Sequence, residues 1–94
     1  MIQSFGHKGL KKFYEDGDGS GLPAQQINKI KLILGSLSQA SKPSEMDFPG
    51  SDFHPLKGDR KGQYAVKVTG NYRITFKFDK KEGTAFDVNY EDYH

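Results

Sequence analysis

Three segments in the last third of the chain alternate between apolar and mostly polar residues, and this pattern constrains the fold more than any other feature. Three segments carry the alternation, and their apolar members all fall at even positions: Tyr64, Val66 and Val68; Tyr72, Ile74, Phe76 and Phe78; Phe86, Val88 and Tyr90. A two-residue period predicts three antiparallel strands, each with one face towards a core and one face towards water.

The shared parity also constrains the first hairpin. A two-residue turn at Gly70–Asn71 would pair Thr69 with Tyr72 and put the two apolar sets on opposite faces, because a slip of one residue exchanges the faces. A three-residue loop, Thr69–Asn71, pairs Val68 with Tyr72 and keeps one apolar face, so we predict that loop. The polar face is then expected to hold Lys67, Arg73 and Lys77 beside Asp87 and Asn89.

The first half of the chain predicts two helices that cover the apolar side of this sheet. Apolar residues on one side indicate a short helix over His7–Glu15, which the glycine-rich string DGDGSG ends. Pro23 suits a first helical position, and apolar residues at three- and four-residue spacing predict an amphipathic helix from there to Gln39. The predicted fold class is therefore α+β, with two N-terminal helices packed on an antiparallel sheet.

The connecting segments give weaker signals. Ile2–Phe5 is compatible with a short first strand, and Ser41–Asp52 is predicted to be a loop because it holds Pro43, Pro49 and Gly50. Phe53–Gly58 is predicted to be an edge strand or an ordered loop, since Pro55 favours extended geometry in the residue before it.

Length and composition limit the possible functions. A chain of 94 residues predicts one domain, residues 1–94. With no cysteine it can form neither a disulfide nor a thiol nucleophile nor a cysteine-based zinc site. The DxDxSG string lacks the remaining ligands of a calcium loop, and three scattered histidines form no zinc motif, so we expect no metal and no cofactor. Without a long apolar run or a signal peptide, we expect a cytoplasmic protein.

The net charge of +2 conceals an uneven distribution. Residues 54–81 hold eight Lys and Arg against two Asp, whereas residues 82–94 hold four acidic residues and no Lys or Arg. The basic block indicates an anionic partner on one surface. A solvated, lysine-rich sheet would explain the same block.

Five residues form the candidate catalytic set: His54, Lys57, Arg73, Tyr93 and His94. RNA cleavage by transesterification uses the 2′-hydroxyl of the RNA as nucleophile, so the protein needs only a base, an acid and cations. Histidine suits proton transfer at neutral pH, and guanidinium offers permanently charged, forked donors to phosphate. Simpler interpretations are an ion pair between Arg73 and Asp87, a structural His54, and a frayed C-terminus.

Four strings in order across the chain resemble the HigB toxins, a branch of the RelE/ParE superfamily of bacterial toxin–antitoxin systems. They are Met1-Ile2-x-Ser4-Phe5-x-His7-Lys8-Gly9-Leu10, His54-Pro55-Leu56-Lys57-Gly58-Asp59, Asn71-Tyr72-Arg73-Ile74-Thr75-Phe76, and Asn89-Tyr90-Glu91-Asp92-Tyr93-His94. The resemblance implies a compact α+β domain with a sheet against two helices. Tyr64 and Tyr72 stand where many relatives have tryptophan, a difference that affects packing.

The resemblance further implies a ribosome-dependent endoribonuclease that cuts mRNA in the A site and thereby inhibits translation. A HigA-type helix-turn-helix antitoxin would neutralise it and bind operator DNA, so the toxin itself would meet that DNA only indirectly. Arg73 and Lys57 would stabilise phosphate and transition state, His54 and His94 would be acid and base, and Tyr93 would orient or stack on the substrate. Lys67, Asn71, Lys77 and Asp92 are the expected substrate-binding residues.

The sequence also permits two other functions. A ParE-like toxin that inhibits DNA gyrase needs no acid–base set, and a noncatalytic domain could bind RNA or a partner protein. Mapping mRNA 5′ ends after incubation with translating ribosomes would separate the first hypothesis from both alternatives.

Overall fold

The computed structural model describes residues 1–92 and has two helices and one four-stranded sheet. The helices are α1 (Lys8–Asp16) and α2 (Ile27–Gln39), and the strands are β1 (His54–Pro55), β2 (Gln63–Thr69), β3 (Tyr72–Asp79) and β4 (Thr84–Asp92). All neighbouring strands pair antiparallel in the order β1-β2-β3-β4. The predicted α+β class is confirmed.

Local signals fix the helix ends. The His7 Nδ1 accepts a hydrogen bond from the Leu10 amide at 3.2 Å, and Gly17 ends α1 with a left-handed φ of 74°. Glycine adopts that φ without the steric cost of a Cβ, which makes it the usual residue at this position. The second helix differs slightly from its prediction, because a single 3₁₀ turn over Ala24–Gln26 precedes the α-helix.

The helices pack on the apolar side of the sheet, as predicted. Residues from both layers are fully or almost fully buried in one core, among them Leu10, Ile30, Ile33, Leu34 and Leu37 from the helices and Val66, Ile74, Phe76 and Val88 from the strands. Burying such apolar surface contributes roughly 25 cal/mol per Å², the main driving force for joining the two layers.

The hairpin between β2 and β3 corrects one prediction. Thr69 pairs with Tyr72 across the two-residue turn at Gly70–Asn71, the turn that parity had argued against. An extra residue in β2, Val68, forms a bulge between the pairs of Lys67 and Thr69, so that Val66 still lies opposite Ile74. The bulge absorbs the one-residue slip and preserves the apolar face.

A second bulge, in β4, corrects the predicted face of Phe86. Thr75 pairs with Asn89 but Lys77 pairs with Phe86, so β4 holds one residue more than β3 between these pairs. Asp87 takes a positive φ of 52° there, and its amide donates to the Ser4 Oγ at 2.9 Å. Phe86 therefore shares the face of Lys77, and the fully buried Ala85 takes the core position instead.

The remaining segments are close to expectation. Instead of a continuous first strand, Ile2 and Phe5 form two isolated parallel bridges to Ala85 and Val88 of β4. The predicted loop contains a 3₁₀ turn over Pro43–Met46, and the HPLKG string does begin with a two-residue edge strand, β1.

None of the helices within residues 1–92 is long and apolar enough to cross a membrane.

Candidate active site

The face of the sheet turned away from the helices holds the predicted cations. Lys67 pairs with Arg73 across β2 and β3, and Lys77 lies four residues further along β3, so all three share this face. We call it the polar face. His54 joins it at the edge, because its cross-strand partner Ala65 stands two residues before Lys67. The predicted placement of these three cations on one face of the sheet is confirmed, and their role in a site stays a prediction.

Arg73 is held in place by backbone carbonyls and one carboxylate. Its Nη1 donates to the Gly70 and Tyr72 carbonyls at 2.8 and 3.1 Å, and its Nη2 lies 3.9 Å from an Asp52 carboxylate oxygen. The side chain is only 14% exposed, so it is not the solvated residue that the alternation suggested. The alternative ion pair with Asp87 is wrong, since Asp87 lies 3.5 Å from Lys77.

Asp52 contacts both His54 and Arg73. The His54 Nδ1 lies 2.8 Å from the Asp52 carbonyl oxygen, while the Asp52 carboxylate faces Arg73. A carbonyl oxygen can only accept, so this hydrogen bond puts a proton on Nδ1 and leaves Nε2 as the basic nitrogen of the neutral ring. Asp52 adopts a φ of 48°, a left-handed conformation that Asp tolerates better than most residues.

Lys57 lies on the connection between β1 and β2. It precedes the 3₁₀ turn over Gly58–Arg60, its carbonyl accepts from the Arg60 amide at 3.3 Å, and its side chain is exposed. A cavity beside it is lined also by Lys61 and Tyr64. This turn places a cation next to the edge strand that carries His54.

Arg60 and Glu91 form a forked ion pair that the sequence analysis did not identify. The Arg60 Nη1 and Nη2 donate to the two Glu91 carboxylate oxygens at 2.8 and 2.5 Å. Glu91 also accepts from the Thr75 Oγ1 at 2.5 Å, and Arg60 donates to the Gln63 Oε1 at 3.0 Å. The hydrogen bonds from Arg60, assisted by the Thr75 hydroxyl and opposed by burial, hold the pKa of Glu91 below its usual range.

No local motif marks this pair, because its members stand 31 residues apart. The sequence did carry a signal for one member of the pair, Glu91. The odd positions of β4 after the bulge, Asn89 and Glu91, alternate onto the polar face, and Glu91 is the cross-strand partner of Arg73. The position of Arg60 depends on the fold of a short turn, which no periodic pattern describes.

The four predicted substrate-binding residues do not all lie on the polar face. Lys67 is exposed and Lys77 is half-buried beside Asp87, while Asn71 occupies the exposed tip of the β2–β3 turn. Asp92 is the cross-strand partner of Tyr72, so strand alternation assigns it to the face opposite Arg73. Tyr93 and His94, both predicted to be catalytic, lie outside the described residues.

The end of β4, where the predicted catalytic tail begins, is anchored by Tyr90. Its ring stacks on Tyr72 with centroids 5.3 Å apart and meets His7 edge-on at 5.5 Å. Its hydroxyl donates to the side-chain oxygen of the buried Gln26. Contacts from the sheet, from the residue that caps α1 and from the 3₁₀ turn before α2 thus fix the strand two residues before Asp92.

Residues 1–92 contain no group of three His, Asp or Glu side chains that could hold a metal ion. In the DxDxSG string, the Asp18 Oδ1 accepts from the Ser20 amide at 3.0 Å. This hydrogen bond lowers the pKa of Asp18, with a smaller effect from Lys12 at 3.6 Å. The aspartate therefore closes a turn of its own loop.

Comparison with known proteins assigns this architecture to a class. Residues 3–94 match the family model of HigB-like toxins, described as the RelE-like toxin of the type II toxin–antitoxin system HigB. The chain is 46% identical to Endoribonuclease HigB of Proteus vulgaris over the full length of both proteins. It is 32% identical to Toxin HigB-1 of Vibrio cholerae, with 100% of this chain and 98% of that protein covered.

Solved structures of low sequence identity share the fold. A YoeB/ParE toxin from Agrobacterium tumefaciens superposes with a TM-score of 0.66 at 17% identity, covering 100% of this chain and 99% of the other. A chain of the YoeB-YefM complex from Staphylococcus aureus gives a TM-score of 0.58 at 15% identity, with 100% and 98% covered.

These findings define a RelE-like toxin fold, and the chain belongs to the HigB-like toxin family. The resemblance carried by the four sequence strings is therefore confirmed, as is the predicted enzyme class, endoribonuclease.

Proposed function

We propose that this protein is a ribosome-dependent mRNA endoribonuclease that cleaves in the A site and inhibits translation. The observation that carries the proposal is the connection of His54 and Arg73 through Asp52. Asp52 thus contacts both an imidazole and a fixed guanidinium on the polar face of the sheet. Family membership supports the coarser part of the proposal, a toxin with endoribonuclease activity.

The proposed reaction is metal-independent transesterification. The 2′-hydroxyl of the RNA loses its proton to a base and attacks the adjacent phosphorus. The bond to the 5′-oxygen breaks, and that oxygen takes a proton from an acid, which leaves a 2′,3′-cyclic phosphate. Cations stabilise the charge that develops on the phosphorane oxygens.

The roles follow from the chemistry of the side chains. His54, with Nδ1 bonded to a carbonyl and Nε2 basic, suits the general base. Arg73 and Lys57 stabilise the phosphate and the transition state. His94 then acts as the acid and Tyr93 orients or stacks on the substrate. The expected RNA contacts outside this set are Lys67, Asn71, Lys77 and Asp92.

The proposed partners are the ribosome, its mRNA and a HigA-type helix-turn-helix antitoxin. One neighbour in fold, RelBE2 from Mycobacterium tuberculosis, is described as a toxin–antitoxin complex, and another is part of the YoeB-YefM complex, which supports an antitoxin partner here. Operator DNA would be reached only through the antitoxin. We further propose that residues 1–94 form a single domain, that it needs no cofactor, and that it acts in the cytoplasm.

The deciding experiment incubates the purified protein with translating ribosomes and maps the 5′ ends of the mRNA. We expect new ends within the A-site codon, and none with free mRNA or with Arg73→Ala. Toxicity without new ends would contradict the proposal and would direct attention to DNA gyrase, tested in a supercoiling assay. A stoichiometric transition metal in elemental analysis of the free protein would contradict the metal-independent mechanism.

A further inference from the structure

The Arg60–Glu91 pair crosses the polar face of the sheet. Arg60 belongs to the turn between β1 and β2, touches Gln63 at the start of β2 and reaches Glu91 on β4. Glu91 in turn accepts from Thr75 on β3, which is only 1% exposed. One ion pair therefore connects the three long strands of the sheet to the turn that follows Lys57.

The Arg60–Glu91 pair is more buried and makes more hydrogen bonds than an ordinary surface salt bridge. Exposed single ion pairs contribute little, because solvent screens them and two long side chains lose freedom. This pair has two parallel N–H to oxygen bonds, side chains only 36% and 26% exposed, and two further hydrogen bonds. Forked arginine–carboxylate pairs fix direction as well as distance.

The Arg60–Glu91 pair connects the turn that follows Lys57 to Arg73 and the end of β4. Arg60 stands three residues after Lys57 and bonds to the Lys57 carbonyl through its amide. Glu91 directly precedes Asp92 and is the cross-strand partner of Arg73. Hydrogen bonds from Arg60 lower the pKa of Glu91, so its carboxylate stays ionised to a lower pH than that of an ordinary glutamate.

We infer that the Arg60–Glu91 pair is a positioning device that holds the Lys57 turn in register with Arg73 and with the end of β4, an inference that rests on the proposed function. In this role both residues act through their neighbours, Lys57 and Arg73, and not on the substrate itself. Misplacing a catalytic group by about 1 Å can cost up to roughly a hundredfold in rate, so loss of the pair should affect the chemical step.

The first test measures cleavage of ribosome-bound mRNA by Glu91→Gln and Arg60→Lys at a temperature where thermal melts show each variant folded. We expect kcat to fall by at least about tenfold with KM within about threefold for Glu91→Gln, because substrate contacts remain. Arg60→Lys keeps the charge but loses the forked hydrogen bonds, so its kcat should lie between that of wild type and that of Glu91→Gln. Asp18→Asn, which removes a carboxylate from the exposed pair with Lys12, is the matched control and should behave as wild type.

The second test does not depend on activity. In ¹⁵N relaxation, we expect the backbone order parameters of residues 57–61 to fall from about 0.85 to below about 0.6 in Glu91→Gln, with β3 unchanged. If the wild-type protein fails to cut mRNA, the proposed function fails, and this measurement alone still decides whether the pair orders the turn.

Three results would overturn the inference. They are a wild-type kcat in folded Glu91→Gln, a change confined to KM, and unchanged order parameters in the turn. Should Glu91→Gln not fold, Thr75→Val replaces it. That variant removes one hydrogen bond to Glu91 and is judged by the same split between kcat and KM.

Discussion

At the scale of single residues, Arg73 shows how the fold prepares a cation before any substrate binds. Two backbone carbonyls and Asp52 fix the guanidinium, and only 14% of the side chain is exposed. A donor fixed in this way needs little reorganisation when charge develops on a phosphate nearby.

We predict that Arg73→Ala loses roughly 10²–10³ in cleavage rate, the usual cost of one transition-state contact. The burial and carbonyl hydrogen bonds of the side chain add a stability cost of about 1–3 kcal/mol. Arg73→Lys should lose less stability and retain part of the rate. Single-turnover cleavage and thermal melts measure the two effects, and a folded, fully active Arg73→Ala would remove Arg73 from the site.

A second prediction at this scale concerns Tyr93 and His94. Removing both should lower the cleavage rate by several powers of ten and so abolish toxicity, because an acid–base group and a positioning contact are lost together. Folding should be unaffected, since the anchoring contacts of β4 are made by Tyr90. Growth inhibition is compared between the full chain and residues 1–92 at equal soluble expression, with thermal melts and antitoxin binding as controls. An active short chain would confine the site to His54, Lys57 and Arg73.

At the scale of secondary-structure elements, the β4 bulge decides which side chains face the core. It turns Phe86 to the polar face and Ala85 to the core, and it depends on the positive φ of Asp87. Left-handed conformations are tolerated by Asp and Asn but are strained in β-branched residues.

We therefore predict that Asp87→Val destabilises the protein by about 1–2 kcal/mol, whereas Asp87→Asn changes stability by less than about 1 kcal/mol. Both variants lose the exposed ion pair with Lys77, so their difference isolates the backbone strain. Denaturant unfolding of the two variants gives that difference, and equal stabilities would mean that the bulge tolerates any residue.

At the scale of the whole molecule, Tyr90 ties the sheet to the helical layer. Its hydroxyl donates to Gln26, which is only 7% exposed, across 64 residues of sequence. Burial, with a smaller effect from the neighbouring Tyr72, raises the pKa of Tyr90 above its usual range. The folded state thus favours the neutral phenol.

We predict that Tyr90→Phe destabilises the protein by about 1–3 kcal/mol at neutral pH, because the buried Gln26 oxygen loses its donor. The raised pKa of Tyr90 determines whether stability rises or falls with pH in the alkaline range. The unfolded phenol ionises near pH 10 while the folded one still holds its proton, so wild-type stability falls as pH rises through this range. The stability difference between wild type and Tyr90→Phe should shrink above about pH 10. A difference independent of pH would show that Tyr90 ionises alike in both states.

The sequence by itself determined the layers, the helices and the class of protein. Two-residue alternation and three- to four-residue periodicity are set by the backbone geometry of strands and helices, so they can be recognised without the fold. The strings around His54, Arg73 and the C-terminus indicated the family, and alternation assigned Lys67, Arg73 and Lys77 to one face. These properties depend on neighbours in sequence.

Only the tertiary structure decided the bulges, the partners of Arg73 and the Arg60–Glu91 pair. Each bulge is a compromise between two strands and a core, so parity within one strand misplaced Phe86 and excluded the turn at Gly70–Asn71. Ion-pair partners depend on distances between side chains far apart in sequence, 31 residues for Arg60 and Glu91. The charge pattern could not predict whether Asp52 or Asp87 is the ion-pair partner of Arg73. Coulomb attraction depends on the distance between the two groups, which the folded backbone sets.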